Sequence, residues 1–145
     1  MITYQKDTFY TRYTLDDEGI LLAVFHGESR MINLETAKKM VADRKALGLP
    51  PNLLLLLRND AGFTFDKAAR TYLSAKEGAE GFLAAAVLIR NPIDLATVRF
   101  MAIFGKPPIP MSYFSDLGKA RAWLKRKGEI LRPRQDYFTT TPPRP

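Results

Sequence analysis

The sequence predicts an α/β fold, a mixed β-sheet flanked by helices, with its elements in the order β-β-α-β-α-β-α-β-α. Two short runs, Leu53–Leu57 and Phe82–Ile89, are apolar without alternation, which is typical of strands that helices cover on both faces. Segments with helical spacing of apolar residues separate these runs, and this alternation favours parallel crossover pairs. Residues 7–25 have the composition of a hairpin. A length of 145 residues favours one domain.

The hairpin and the first helix have recognisable start and stop signals. The hairpin turns at residues 16–19, where Gly19 is free to take a positive φ, and continues as Ile20–Phe25. Asn33 is the predicted N-cap of the first helix, because its side chain accepts a hydrogen bond from a free backbone amide. This helix ends at Gly48, just before two prolines.

The second helix is predicted to follow the central strand Leu53–Leu57 after a polar loop. We expect Thr64 to cap this helix, which covers roughly Phe65–Lys76. Phe82–Ile89 then forms the next strand, and Leu95–Phe104 forms a third, apolar helix.

The C-terminal third of the chain is predicted to add one strand and one helix. Met111–Phe114 reads as a short edge strand, and Ser115 as the cap of a helix from Asp116 to about Lys127. This helix is expected to bury Leu117, Ala120, Trp123 and Leu124. The domain therefore covers residues 1–131, and residues 132–145, rich in proline and threonine, form a flexible basic tail.

The composition excludes several kinds of chemistry. The chain has no cysteine, so disulfides, thiolate catalysis and cysteine-ligated zinc are excluded. Its one histidine, His26, cannot form a multi-histidine metal site, and we expect no metal and no cofactor. No apolar run approaches the roughly 20 residues of a membrane-spanning helix, and no signal peptide is visible. The expected location is the cytoplasm.

The positive charge of the chain is concentrated at one end. The net charge is +7, yet residues 1–118 carry 14 basic and 13 acidic side chains, while residues 119–145 carry 8 and 2. Such a cluster attracts anionic surfaces without specificity. It lacks the spread of basic residues over a docking face that nucleic-acid-binding domains have, so we expect no sequence-specific nucleic-acid binding.

An ordered set of short motifs resembles a known family. These are Gly19-Ile20, Leu34-Glu35-Thr36-Ala37-Lys38, Pro51 through Leu57, Ala69-Arg70-Thr71-Tyr72, Ala85-Ala86-Val87-Leu88, and the ending Lys106-Pro107, Pro110, Phe114 and Ala122-Trp123-Leu124-Lys125. The chain resembles the SpoIIAA-like family, which is related to STAS domains and is also described as STAS/Sec14-like. The resemblance covers about residues 10–127 and implies a mixed sheet flanked by helices, a binding or regulatory role, and no catalytic residues.

The resemblance also indicates a difference in regulation. STAS anti-sigma-factor antagonists are switched by phosphorylation of a Ser or Thr at the start of the second helix. The comparable positions here hold Asp66 and Lys67. Thr64 lies close by, but a capping role explains it more simply. We therefore do not expect the phosphorylation switch in this chain.

Polar residues cluster after the central strand, where ligands bind in open α/β sheets. The candidate partner-binding residues are Arg58, Asn59, Asp60, Thr64, Asp66 and Arg70. A solvated polar loop with a local Arg-Asp pair is the simpler alternative. Nothing in the spacing of Asp60 and Asp66 forces them together, so we do not expect acid–base catalysis.

The apolar third helix is the second candidate surface. Its residues Leu95, Val98, Phe100, Met101 and Phe104 are candidates for one wall of an apolar ligand cleft or for a dimer face. Burial in the core is the simpler use of such a helix.

The leading hypothesis is a non-enzymatic, STAS-like binding or regulatory module that recognises a protein partner, with a homodimer as an expected assembly. The alternative is a small carrier or sensor of an apolar or lipid-like ligand. The first predicts a well-filled interior, and the second predicts an enclosed apolar cavity of about 300–1,000 Å³. An enzyme of unrecognised type is a third hypothesis, and it predicts a cleft with strongly shifted titratable groups.

Overall fold

The computed structural model describes residues 2–92, 94–96, 99 and 108–133. The strands in these ranges are β1 (Ile2–Asp7), β2 (Thr11–Asp16), β3 (Ile20–Phe25), β4 (Met31–Ile32), β5 (Leu53–Arg58), β6 (Thr64–Phe65), β7 (Phe82–Leu88) and β8 (Met111–Phe114). The helices are α1 (Leu34–Lys45), α2 (Lys67–Leu73), α3 (Lys76–Ala79) and α4 (Leu117–Leu131). Residues 92, 94–96 and 99 are also helical.

Six of these strands form one mixed sheet in the order β1-β2-β3-β5-β7-β8. The pairs β1–β2 and β2–β3 are antiparallel, whereas β3–β5, β5–β7 and β7–β8 are parallel. The predicted mixed α/β sheet is therefore confirmed. The crossovers from β3 to β5 and from β5 to β7 run in the same direction across the sheet. Because such crossovers are right-handed, their helices lie on one face.

Helix α4 covers the opposite face of the sheet. Its buried residues Ala120 and Leu124 belong to a core cluster with the inward residues of three strands, namely Ile20, Leu54, Leu56, Ala84, Ala86 and Leu88. The approach is close, because a Cβ on Gly128 would lie 3.0 Å from a methyl of Leu54. Alanine and glycine at the contact therefore bring the helix backbone close to the sheet.

The face towards α1 and α2 is built from larger side chains. One cluster on this side contains Tyr13, Leu21, Ala23, Leu53 and Phe82. A second joins the two helices to the end of β3, with Phe25, Ile32, Ala37, Met40, Phe63, Phe65 and Ala69. Asn33 caps α1 as predicted, since its side chain accepts a hydrogen bond from the Thr36 amide.

The start of the second helix differs from the prediction. Asp66, not Thr64, is the N-cap of α2 and accepts a hydrogen bond from the Ala69 amide at 2.8 Å. Thr64 and Phe65 instead form β6, which pairs with β4. Phe65 is buried at this pairing, and this tertiary contact holds both residues in an extended conformation. The helix also ends earlier than predicted, at Leu73.

The chain ends differ from the predicted elements in three respects. Residues 2–6 were not predicted to be extended, yet they form most of the edge strand β1. Asp116, not Ser115, caps α4, which extends to Leu131. Leu117 is 49% exposed rather than buried, because it lies in the first turn away from the sheet. Of the predicted third-helix surface, Leu95 is half-buried, and Val98, Phe100, Met101 and Phe104 lie outside the described residues, as do residues 134–145 of the predicted tail.

Candidate functional site

Two arginines hold one carboxylate at the carboxyl end of the central strands. Arg58, the last residue of β5, donates from Nε and Nη2 to the two oxygens of Asp60, each at 2.8 Å. Nη2 of Arg90, which follows β7, lies 2.7 Å from Oδ1 of Asp60. The three side chains are 35–46% exposed, so the charges face solvent while their geometry is fixed.

Asn59 shapes the loop that carries this cluster. Its side-chain amide donates to the Phe63 carbonyl at 2.8 Å and accepts from the Phe63 amide at 3.0 Å. Its own carbonyl accepts from Nη2 of Arg90 at 3.5 Å. The side chain of Asn59 is thus occupied within the loop, which keeps Arg58 and Asp60 in place.

The remaining predicted residues lie at the start of α2. Thr64 contacts the Met31 sulfur through its hydroxyl at 3.5 Å. The Asp66 carboxylate caps the helix, and Arg70 donates from Nη1 to the Phe65 carbonyl at 2.8 Å. Asp66 and Arg70 therefore hold the junction between β6 and α2, whereas Arg58 and Asp60 form a charged cluster on the strand end.

Exposed apolar side chains lie at the same edge of the sheet as the charged cluster. Phe9 is 66% exposed and Met31 is 61% exposed. The Arg30 guanidinium lies over the ring of Phe9, 5.9 Å from its centroid, and over Tyr10 at 5.4 Å. Tyr10 in turn packs edge-on against Phe63, in the loop that Asn59 closes, with ring centroids 6.3 Å apart.

These side chains lie at the same edge of the sheet, at the carboxyl ends of β3, β5 and β7, and we call them together the strand-end surface. It consists of Phe9, Arg30, Met31, Arg58, Asp60 and Arg90. Sequence reasoning found Arg58 and Asp60 but missed the other four. Arg90 could have been found, because it directly follows the strand predicted to lie beside β5. Phe9, Arg30 and Met31 carry no local signal, since folding brings them to this end.

Across residues 2–92, 94–96, 99 and 108–133, no cluster of three or more His, Asp or Glu side chains has a geometry suited to holding a metal ion. No helix within those ranges is both long and apolar enough to span a membrane.

The comparisons with known proteins concern the family and the fold. No curated protein matches the chain. The structure is similar to that of an uncharacterized protein from the DUF3478 family of Shewanella loihica PV-4, which has a SpoIIAA-like fold. The two share 15% identity with a TM-score of 0.45, over 86% of this chain and 92% of the other. Residues 13–127 match a different family, described as a domain of unknown function, and the chain therefore belongs to the DUF7793 family.

Proposed function

We propose that the chain is a non-enzymatic binding module that recognises a protein partner through the strand-end surface. The observation that carries this proposal is the exposure of Phe9 and Met31 at the same edge of the sheet as the Arg58–Asp60–Arg90 cluster. Aromatic, methionine and arginine side chains are enriched at the centres of protein interfaces, and this surface exposes all three types. Water is released from both apolar side chains when a partner covers them.

The charges of the surface indicate the chemistry of the partner. Arg30, Arg58 and Arg90 contribute three guanidinium groups, and Asp60 contributes one carboxylate. The complementary partner segment carries an apolar side chain flanked by Asp or Glu. A second copy of this chain would place like charges together across a two-fold axis, which disfavours self-association through this surface.

Preorganisation adds to this argument. Asp60 holds both arginine side chains before any partner arrives, and Asn59 fixes the loop that carries Asp60. Binding then costs less side-chain entropy than it would for two free arginines. The predicted carrier of a lipid-like ligand is less well supported, because the largely apolar cavity beside the central strands measures about 130 Å³. Ligand pockets typically enclose about 300–1,000 Å³.

The test compares variants of the surface with a matched control. Phe9→Ala/Met31→Ala removes the apolar contacts, and Arg58→Gln/Arg90→Gln removes two charges. Ile130→Ala is the control, because Ile130 is also 66% exposed but lies on α4. Proteins captured by the wild-type chain are quantified by mass spectrometry, and their affinities are then measured with purified components.

The expected result is a partner whose affinity falls at least tenfold with both surface variants and is unchanged with Ile130→Ala. Circular dichroism melts of all variants exclude unfolding as the cause. If every captured protein binds the two surface variants as well as it binds the wild type, the proposal is wrong. Sedimentation velocity on the same variants tests the predicted homodimer. A dimer that the Phe9→Ala/Met31→Ala variant dissociates would identify the second copy as the partner and overturn the charge argument.

A further inference from the structure

The space beside the central strands is a cavity of about 130 Å³. It lies on the α1 and α2 face of the sheet. Among the described residues, its wall is formed mainly by apolar side chains that include Ala23, Met40, Leu55, Leu57, Val87 and Met111. The small side chain of Ala23 on β3 leaves room where a larger residue would fill the layer.

The exposure of the central strands differs between the two faces of the sheet. On the α4 face, Leu54 and Leu56 are each 1% exposed. Their neighbours Leu55 and Leu57 point to the other face and are only half-buried, although β5 lies in the middle of the sheet. Strands in such positions are normally buried on both faces. The unfilled space therefore borders the most apolar strand of the chain.

We propose that this cavity is a binding site for a small uncharged molecule, aromatic or branched aliphatic. Its size sets the ligand at about six to eight non-hydrogen atoms, because an apolar cavity of about 150 Å³ stays dry and takes up benzene. A long-chain lipid is too large.

The polar groups of the cavity wall favour an uncharged ligand. Asn59 exchanges two hydrogen bonds with Phe63. Asp94 is buried and accepts from the Arg90 amide at 3.2 Å, and its carboxylate disfavours a nearby anion. These side chains are engaged within the protein, so the ligand meets mainly carbon and sulfur atoms.

One side of the cavity adjoins a surface groove. Arg44 and Phe82 line both the cavity and a groove of about 350 Å³. The Arg44 guanidinium lies over the Phe82 ring, 4.8 Å from its centroid. It also donates to the carbonyls of Gly78 and Glu80 at 3.2 and 3.3 Å. These two side chains form the wall that the cavity and the groove share.

Methionine methyl groups provide a direct test. The protein is labelled at the methionine methyl carbons, and benzene is titrated while the methyl NMR signals are followed. Met40 and Met111 line the cavity, whereas Met31 is exposed and serves as an internal control. We expect saturable ring-current shifts at Met40 and Met111 and none at Met31. Shifts that do not saturate, or equal shifts at all three residues, would overturn the proposal.

Two alanine-to-leucine substitutions, one inside the cavity and one outside it, then locate the site. Ala23→Leu fills the cavity and is expected to abolish the saturable shifts. Ala42→Leu adds the same side chain on the exposed side of α1 and is expected to preserve them. A size series on the wild-type protein needs no variant: benzene and toluene are expected to bind, and palmitate is not. Saturable binding that survives Ala23→Leu in a folded protein, or palmitate binding at Met40, contradicts the assignment. This inference is independent of the strand-end surface, since no partner protein enters its test.

Discussion

Arg121 of α4 donates a hydrogen bond to Asp16 at the end of β2, with Nη2 and Oδ2 2.7 Å apart. The same nitrogen lies 2.8 Å from a carboxylate oxygen of Glu18. Asp16 is only 14% exposed, and its other oxygen accepts from the amides of Glu18 and Ile20. One carboxylate thus closes the turn between β2 and β3 and fastens α4 to it.

Removing the Arg121 side chain and removing the Asp16 side chain should lower the free energy of unfolding by different amounts. Arg121→Ala is expected to cost about 1 kcal/mol, because its charged hydrogen bonds to Asp16 and Glu18, which solvent partly screens, are lost. Asp16→Ala should cost about 2 kcal/mol, because the two turn amides also lose their acceptor. Urea unfolding measures both, with Lys39→Ala as the control for an exposed ion pair. Equal losses for Asp16→Ala and Lys39→Ala would contradict this account.

The same carboxylate makes stability dependent on pH. Burial opposes ionisation of Asp16, but the Arg121 hydrogen bond and the amides of Ile20 and Glu18 outweigh it and lower the pKa of this carboxyl. A lowered native pKa contributes stability that is fully present above the unfolded value, about 3.9 for Asp. This contribution is lost as the pH falls through the native pKa.

We therefore expect the stability difference between wild type and Asp16→Asn to be constant above about pH 5 and to shrink below about pH 4. Urea unfolding at a series of pH values measures this difference. A difference that grows on acidification would show that the carboxylate is destabilising in the folded state.

The cap of α2 can be tested by two neighbouring substitutions. Asp66→Ala should lower the free energy of unfolding by about 1 kcal/mol, because the Ala69 amide loses its acceptor. Thr64→Val keeps the shape of the side chain and suits the extended backbone of β6, so it should cost less than Asp66→Ala. Thermal unfolding of both variants shows which substitution causes the larger loss of stability. A larger loss for Thr64→Val would indicate that the hydroxyl at residue 64 caps the helix after all.

Substitution of two glycines of α4 by alanine should have different effects on the stability of the protein. A Cβ on Gly118 has its nearest neighbour at 3.6 Å, so Gly118→Ala is expected to stabilise the protein by up to about 1 kcal/mol through helix propensity. At Gly128 the Cβ would lie 3.0 Å from a methyl of Leu54, which is itself fully packed. Gly128→Ala should therefore be neutral or destabilising. Equal stabilisation by both substitutions would mean that α4 does not approach the sheet closely.

Binding of α4 to nucleic acid should be weak and sensitive to salt. Arg121 and Lys125 are paired with Asp16 and Glu18, which leaves Lys119 and Arg126 among the exposed cations of this helix. Lys119→Ala/Arg126→Ala should reduce the slope of log affinity against log salt for single-stranded DNA by about 1.4. Fluorescence anisotropy at several salt concentrations measures this slope. Tight binding that persists at high salt would contradict the expectation.

The parts of the fold that were predictable have strong local patterns. Leu53–Leu57 is apolar on both faces, and the structure places it in the middle of the sheet. Asn33 is followed by apolar residues at helical spacing, and it caps α1. In both cases the local preference and the tertiary environment agree, so the sequence pattern alone is sufficient.

The parts that were missed depend on distant pairing. Strand β1 is an edge strand with polar residues, so it has no continuous apolar pattern. Thr64 and Asp66 are both favoured N-caps, and only the pairing of β6 with β4 decides between them. Arg90 reaches Asp60 because β7 lies beside β5, which is a property of the topology. The cavity depends on summed side-chain volumes, which no short window of sequence contains.

The position of α4 in the chain has a consequence for synthesis. The apolar residues Ile20, Leu54 and Ala86 face this helix, which begins only at Leu117. While the protein is being made, strands β3, β5 and β7 leave the ribosome before their cover exists. The nascent sheet therefore exposes one bare hydrophobic face until α4 has been synthesised. In that interval the uncovered face is a surface to which chaperones bind, and a chain terminated before α4 would be prone to aggregate.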